Sequence, residues 1–241
     1  YAADLVIEAD AKATLVALAD RLKPREPGSS GGRAGAARAS SAASLRAVKE
    51  TADPYRFVQR LANAMTDDVV VVADMTIPGY WCAGYLPVAG PNRFAYPLGW
   101  GTLGFGFPAA LGAAASGRRT IAIVGDGGFL FASGELATAV QERLPVTIVL
   151  VNDGGYGMLR FDQDERYGKR FAVDLVTPDF VELAKSFGAR ARAATPAQIE
   201  EALAWAAKGK GPALIEVAAK FAPPLTTSPR WPLKGKPEAR P

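Results

Sequence analysis

Histidine is absent from the 241 residues, and cysteine occurs once, as Cys82. Without histidine, neither a Ser-His-Asp or Cys-His nucleophile system nor a His-ligated zinc site can be built from this chain alone. A single cysteine excludes an internal disulfide and makes a cytoplasmic location the expectation. No apolar run approaches the ~20 residues needed to cross a bilayer, so no membrane association is expected. The opening Tyr1-Ala2-Ala3-Asp4 lacks the basic-then-apolar order of a signal peptide. Chemistry in this chain must therefore rest on carboxylates, backbone groups, a hard metal ion or an organic cofactor.

Hydrophobic residues make up 49% and aromatic residues 9%, a composition ordinary for a globular protein long enough to bury a core. The net charge of +4 is unevenly spread. Residues 21–49 and 220–241 together hold a surplus of ten positive charges, which leaves the rest of the chain at −6. The basic stretches are a Gly/Ala/Ser-rich connector and a Pro-rich tail, without the interleaved aromatic or groove-reading elements of a nucleic-acid footprint. No nucleic-acid partner is expected.

Residues 1–23 read as a short strand followed by an amphipathic helix with Leu15, Leu18, Ala19 and Leu22 at helical spacing. The pair is too small to fold alone and suggests the remnant of a preceding middle domain. Residues 24–44 have the composition of a flexible linker. From there to about residue 220 the pattern is regular. Continuous apolar runs at Val69–Ala73, Thr120–Val124, Val146–Val151 and Ala213–Val217 are what strands buried on both faces look like. Helical stretches are expected at about 54–65, 103–116, 132–143, 178–187 and 196–208. Thr177-Pro178-Asp179 and Thr195-Pro196 supply caps and first-turn prolines for the last two. This alternation predicts an α/β three-layer sandwich, a mostly parallel sheet with helices on both faces. Ligands of such sheets sit at the carboxyl ends of the strands. The tail, 221–241, carries Leu225 and Trp231 and is apolar enough to dock.

Two strand ends carry the chemistry. The run TIAIV ends in Gly125-Asp126-Gly127-Gly128, with a helix following. Glycines there let the backbone approach a ligand, and a helix start offers free N–H groups to an anion. An aspartate beside an anion suits the electrostatics only if a cation lies between them. A tight turn with a capping aspartate explains the same residues equally well. The next strand ends in Asn152-Asp153-Gly154-Gly155-Tyr156-Gly157, so Asp153 follows Asp126 by 27 residues, one helix plus one strand. Two successive parallel strands then deliver two carboxylates to one sheet edge, a donor set for Mg2+ or Ca2+ rather than zinc.

GDG followed at this interval by Asn-Asp resembles the thiamine-diphosphate signature of the acetolactate synthase, benzoylformate decarboxylase and pyruvate decarboxylase superfamily. The segment Gly99 to Ala114 (GWGTLGFGFPAALGAA) resembles that family's G-x-L-G-x-x-x-P-A-A-x-G stretch. The resemblance runs from about Asp68 to Val217, and residues 1–22 are similar to the end of the family's middle domain. It implies thiamine diphosphate and Mg2+ as cofactors. Asp126 and Asp153 would bind the metal through their side chains and Gly155 through its carbonyl. Gly125, Gly127, Gly128, Tyr156 and Gly157 would lie against the diphosphate, with Thr76 a further contact. Leu103 would wedge the cofactor into its bent shape, Gly101 would accept from its amino group, and Thr102 lies between them.

The implied activity is decarboxylation of a 2-oxo acid, or carboligation of the product, by a dimer or tetramer. Two departures stand out. Asp153 replaces the usual asparagine, adding a charge that a hard dication accepts readily. The family's activating glutamate belongs to a pyrimidine-binding domain that no stretch of this chain resembles, so no catalytic residue is assigned here. Glu135 reads as structural or capping. The alternative reading is a non-catalytic cofactor-binding or assembly subunit that acts only with a pyrimidine-domain partner. Gly99-x-Gly101-x-x-Gly104 satisfies the dinucleotide fingerprint literally, but neither a preceding β-branched strand nor an acidic strand end accompanies it. Trp100, Phe105 and Phe107 are expected in the core beneath the site, and residues 160–169 as a charged surface segment.

Overall fold

The computed structural model describes residues 5–23 and 31–224, and contacts divide the chain into two units, Tyr1–Ser44 and Leu45–Pro241. In the first unit, helix α1 (Ala11–Arg21) is capped by Asp10, whose side chain accepts from the Ala13 N–H at 2.9 Å. Leu15, Val16, Leu18 and Leu22 are all exposed. Residues 5–10 form no strand, and no described segment pairs with them. Helix α2 (Gly31–Ala47) occupies much of the stretch whose composition reads as a linker. Alanine, abundant there, is the best helix former even without an apolar face to bury.

Helix α3 (Lys49–Ala64) starts ahead of Pro54 rather than at it, with the Thr51 hydroxyl donating to the Leu45 carbonyl at 2.6 Å. Then follow β1 (Val70–Ala73), α4 (Ile77–Tyr85), β2 (Phe94–Ala95), α5 (Gly106–Ala115), β3 (Thr120–Gly125), α6 (Asp126–Leu130) and α7 (Leu136–Gln141). After these come β4 (Val146–Asn152), α8 (Gly157–Tyr167), α9 (Phe180–Ser186), β5 (Arg190–Ala194), α10 (Ile199–Lys208) and β6 (Ala213–Ala218). Asp179 caps α9, and a Thr195–Gln198 capping box precedes α10.

All six strands are parallel, in the order β2-β1-β3-β4-β6-β5. Every residue of β1 and β3 is buried, which is why those strands read as unbroken apolar runs. The short strand β2 and the edge strand β5 do not read that way. In β5 the alternating Arg190 and Arg192 cover the Trp205 ring, with guanidinium carbons 4.8 and 5.7 Å from its centroid. Arginines there also protect a sheet edge from pairing with other chains.

On one face, α5, α6, α7 and α9 bury Phe107, Phe129, Leu136 and Phe180 against Val72, Val124 and Ile148. On the other face, α3 packs against α4 and α10, burying Phe57, Leu61, Trp81 and Ile199. Three layers result. The chain runs outward from β1 to β2 and then returns to β3 on the other side of β1. The β1/β3 boundary is therefore the topological switch point, where the carboxyl ends of the strands open a crevice.

Phe107 lies in the core as expected, and Phe105 packs partly against it, but Trp100 is 93% exposed. Trp100 lies in the loop between β2 and α5, next to Gly101. The first residues of the tail dock: the Phe221 and Phe57 rings lie 5.2 Å apart, and the Trp81 indole donates to the Ala222 carbonyl at 2.8 Å. Leu225 and Trp231 lie outside the described residues.

Phe180 is wholly buried and meets Phe129 edge-on at 5.9 Å, which in turn meets Phe107 at 5.4 Å. Phe180→Ala is expected to destabilise the protein by about 3–5 kcal/mol through lost burial and a residual cavity. Urea unfolding should show this as a lower midpoint at unchanged slope.

Candidate active site

A cavity of about 270 Å³ lies at the carboxyl ends of β1, β3 and β4. Its walls include Thr76, Gly101, Leu103, the run Gly125 to Gly128, Asp153, and Gly155 to Gly157. Of the expected site residues, Thr102 alone does not line it and is exposed. Glu135 is also outside it, in a 3-10 turn where its carboxylate accepts from the Thr138 hydroxyl at 3.0 Å.

The parallel register explains why two distant carboxylates meet. Gly125 on β3 faces Val151 on β4, so Asp126 and Asp153 leave adjacent strands at nearly the same level. Asp126 is 1% exposed, and its Oδ2 has no hydrogen-bond partner among the described residues. Burial pushes its carboxyl upward, opposed by backbone N–H groups of Gly127, Gly155 and Gly154. Asp153 is pushed up to about 6, first by burial and then by the charge of Asp126, with Arg160 opposing. Two partly desolvated carboxylates held together, one with an orphaned oxygen, are costly unless a cation joins them. Among the described residues no cluster of three or more His, Cys, Asp or Glu side chains converges. A cation here would thus take two carboxylates, a backbone carbonyl such as that of Gly155, and oxygens of a ligand. Such hard donors fit a dication of the Mg2+ or Ca2+ type.

Arg160 belongs to this site and not to a surface segment. It is 8% exposed on α8. Its guanidinium donates to the Asp153 carbonyl at 2.7 Å, to the Gly154 carbonyl, to Asp153 Oδ1 at 3.3 Å and to Asp174 Oδ1 at 2.6 Å. The planar fork satisfies the turn after β4 and balances the charge that Asp153 brings. The rest of that turn pairs with the 173–175 segment, through Tyr156 N–H to Val173 O and Leu175 N–H to Gly154 O, both 2.9 Å. Residues 160–167 of the charge run lie in α8, and Asp164, one turn beyond Arg160, is exposed and pairs with Arg170 at 2.6 Å.

A third aspartate completes the floor. Asp74 directly follows β1, is 1% exposed, and accepts from the N–H groups of Met75 at 2.7 Å and Gly104 at 2.9 Å. Burial raises its carboxyl while these donors, with those of Gly106 and Phe105, lower it. Asp74 thereby ties the end of β1 to the turn that carries Gly101 and Leu103. The approach leaves no space for side chains. A Cβ on Gly128 would lie 2.8 Å from Asp74 Oδ2, and one on Gly104, at φ +80°, would lie 2.8 Å from the Phe131 Cβ. The signal for Asp74 in the sequence is the one that Asp126 and Asp153 share, an acidic residue just past a buried strand. It lacks adjoining glycines.

The family model described as "Thiamine pyrophosphate enzyme, C-terminal TPP binding domain" matches residues 74–217, which begin at Asp74 and contain every cavity-lining residue named above. This chain belongs to that family. An acetolactate synthase of Bacillus subtilis is 34% identical over 175 residues, covering 71% of this chain and 31% of that protein. A probable 2-ketoarginine decarboxylase of Pseudomonas aeruginosa is 34% identical over 201 residues, covering 80% of this chain and 35% of that protein. Among solved structures, the thiamine diphosphate-dependent 4-hydroxybenzoylformate decarboxylase of Rhodococcus jostii matches with a TM-score of 0.64 at 31% identity. The match covers 73% of this chain and 34% of that one. The chain spans about a third of the length of the curated relatives it matches. No helix among the described residues is long and apolar enough to cross a membrane.

Asp74→Ala should leave buried amides without acceptors and release the 101–106 turn, at a cost of about 2–4 kcal/mol. The Gly104 amide should then lose protection from hydrogen exchange. Stability and exchange at wild-type levels would show that the carboxylate does not hold the turn.

Proposed function

We propose that this chain supplies the diphosphate- and metal-binding half of the active site of a thiamine-diphosphate- and Mg2+-dependent enzyme acting on 2-oxo acids, by decarboxylation or by carboligation. The observation that carries this reading is the buried, unpartnered Asp126 Oδ2 beside Asp153 at the strand ends. Membership of the family and the decarboxylases and acetolactate synthases among its relatives support it.

When bound, thiamine diphosphate supplies the electron sink for the carbanion left by loss of carbon dioxide. The chain's own residues bind and orient. Asp126 and Asp153, with the Gly155 carbonyl, would hold Mg2+, and Gly125, Gly127, Gly128, Tyr156 and Gly157, with Thr76, form the wall that would lie beside the diphosphate. Arg160 keeps Asp153 and the Gly154 carbonyl, and with them the turn that leads to Gly155, in place. Gly101 and Leu103 line the same cavity from the turn that Asp74 holds and would contact the organic part of the cofactor. Leu103, being apolar, would exclude water there and support the cofactor's rings.

Among the described residues no glutamate lines the cavity, and the chain has no histidine. A pyrimidine-binding domain or partner chain therefore supplies the acid that activates the cofactor, within a dimer or tetramer. The same observation supports the second reading, in which the chain is a binding or assembly subunit without activity of its own.

Asp126→Ala should abolish Mg2+-dependent thiamine diphosphate binding in calorimetry, and EDTA should reduce wild-type binding to the same level. Binding of unchanged strength in the variant would refute the metal bridge.

The 241-residue chain by itself should release no carbon dioxide from a panel of 2-oxo acids, because a positioned acid-base group contributes about 10²–10⁴ in rate and none is present. Addition of the pyrimidine-binding part should restore turnover. Robust turnover by the chain alone would show that it carries its own activating group.

A further inference from the structure

The cavity has a strongly acidic lining, and three of its carboxylates already have work. Asp74 accepts backbone N–H groups, while Asp126 and Asp153 face each other with Arg160 behind them. The fourth, Asp162, does not. It lines the cavity from the second turn of α8, on the same helical face as Met158, as the i, i+4 spacing requires. It is half-buried and has no hydrogen bond or ion pair among the described residues. Other acids nearby are neutralised: Asp164 by Arg170, and Asp174 by Arg160. Among the described residues no lysine or arginine lines the cavity.

Tyr80, from α4, shares the cavity with Asp162, and the two are electrostatically coupled. Its ring is held edge-on by Tyr96 at 6.1 Å. Burial, and then the charge of Asp162, push the Tyr80 hydroxyl upward, so it stays neutral. The group that would complement this corner is a cation with hydrogen-bond donors. A carboxylate half-removed from water attracts such a group strongly, repels an anion, and is poorly served by an alkyl chain. An aromatic ring alongside adds a further favourable face for positive charge.

We propose that Asp162 is a specificity-determining residue, flanked by Tyr80, that selects 2-oxo acids whose side chain ends in a cation. This rests on the reading of the chain as half of a 2-oxo acid-converting site.

The test uses the assembled enzyme, this chain with its pyrimidine-binding part, Mg2+ and thiamine diphosphate. It measures kcat/KM for the 2-oxo acids derived from arginine, norleucine and glutamate, which are cationic, neutral and anionic in the side chain. The wild-type order should be cationic, then neutral, then anionic. Asp162→Asn should lower the cationic-to-neutral ratio by about 10- to 100-fold, the range of a charged hydrogen bond lost from a partly buried site. Asp162→Glu should keep the ratio within a few-fold of wild type. A ratio unmoved by Asp162→Asn, or a wild type that prefers the neutral or anionic acid, overturns the proposal while leaving the 2-oxo acid reading intact. Turnover of none of the three acids by the assembled enzyme overturns both.

Discussion

The site depends on the register between β3 and β4. Because Gly125 lies opposite Val151, the residues just beyond the two strands emerge together, and Asp126 and Asp153 share one space. A shift of one residue would turn every side chain of a strand to the other face. Ala122, a small residue, lies between the larger Ile121 and Ile123, all three buried, so such a slip would exchange large and small side chains in a packed core. The packing of the core thus holds the polar constellation at its edge.

The switch point adds the second constraint. With β1 next to β3 and the chain leaving β1 in the opposite direction, the crevice opens between Asp74 and Asp126. Asp74 closes it below by accepting the amides of the turn before α5, so a glycine-rich loop without regular structure is held as firmly as a helix cap would hold it. The approach is close enough that a Cβ at Gly128 would meet the Asp74 carboxylate at 2.8 Å. The small residues of the GDGG run here serve the packing of loop on loop as well as access for a ligand.

Four aspartates in one cavity would be destabilising if all were left as free charges. The fold deals with them differently. Asp74 is satisfied by backbone N–H groups, Asp153 by the buried Arg160, and Asp126 retains an oxygen without a protein partner. Asp162 stays half in solvent. Arg160 also explains how an aspartate can stand where the family has asparagine: its guanidinium both pairs with the extra charge and caps the carbonyls of the turn that follows.

The parallel α/β architecture and the pair Asp126 and Asp153 were legible in the sequence, since both depend on local order: unbroken apolar runs at 69–73, 120–124 and 146–151, each ending in polar residues and glycine. Nothing local distinguishes β5, whose Arg-Ala alternation suits a sheet edge only because Trp205 lies beneath its arginines. The helix at 31–47 was hidden by a composition that fits a linker as well as it fits an alanine-rich helix. Trp100, an aromatic residue in an apolar context, stands in solvent in the loop before α5, a placement that its residue type does not signal. By itself, then, the sequence determined the four buried strands β1, β3, β4 and β6 and the residue types at their carboxyl ends, because these follow from hydrophobic period and turn chemistry. Only the tertiary structure decided that Asp74 anchors the turn before α5, that Arg160 points inward to Asp153, and that Asp162 has no partner among the described residues. Each depends on strand order and helix rotation, which no local pattern fixes.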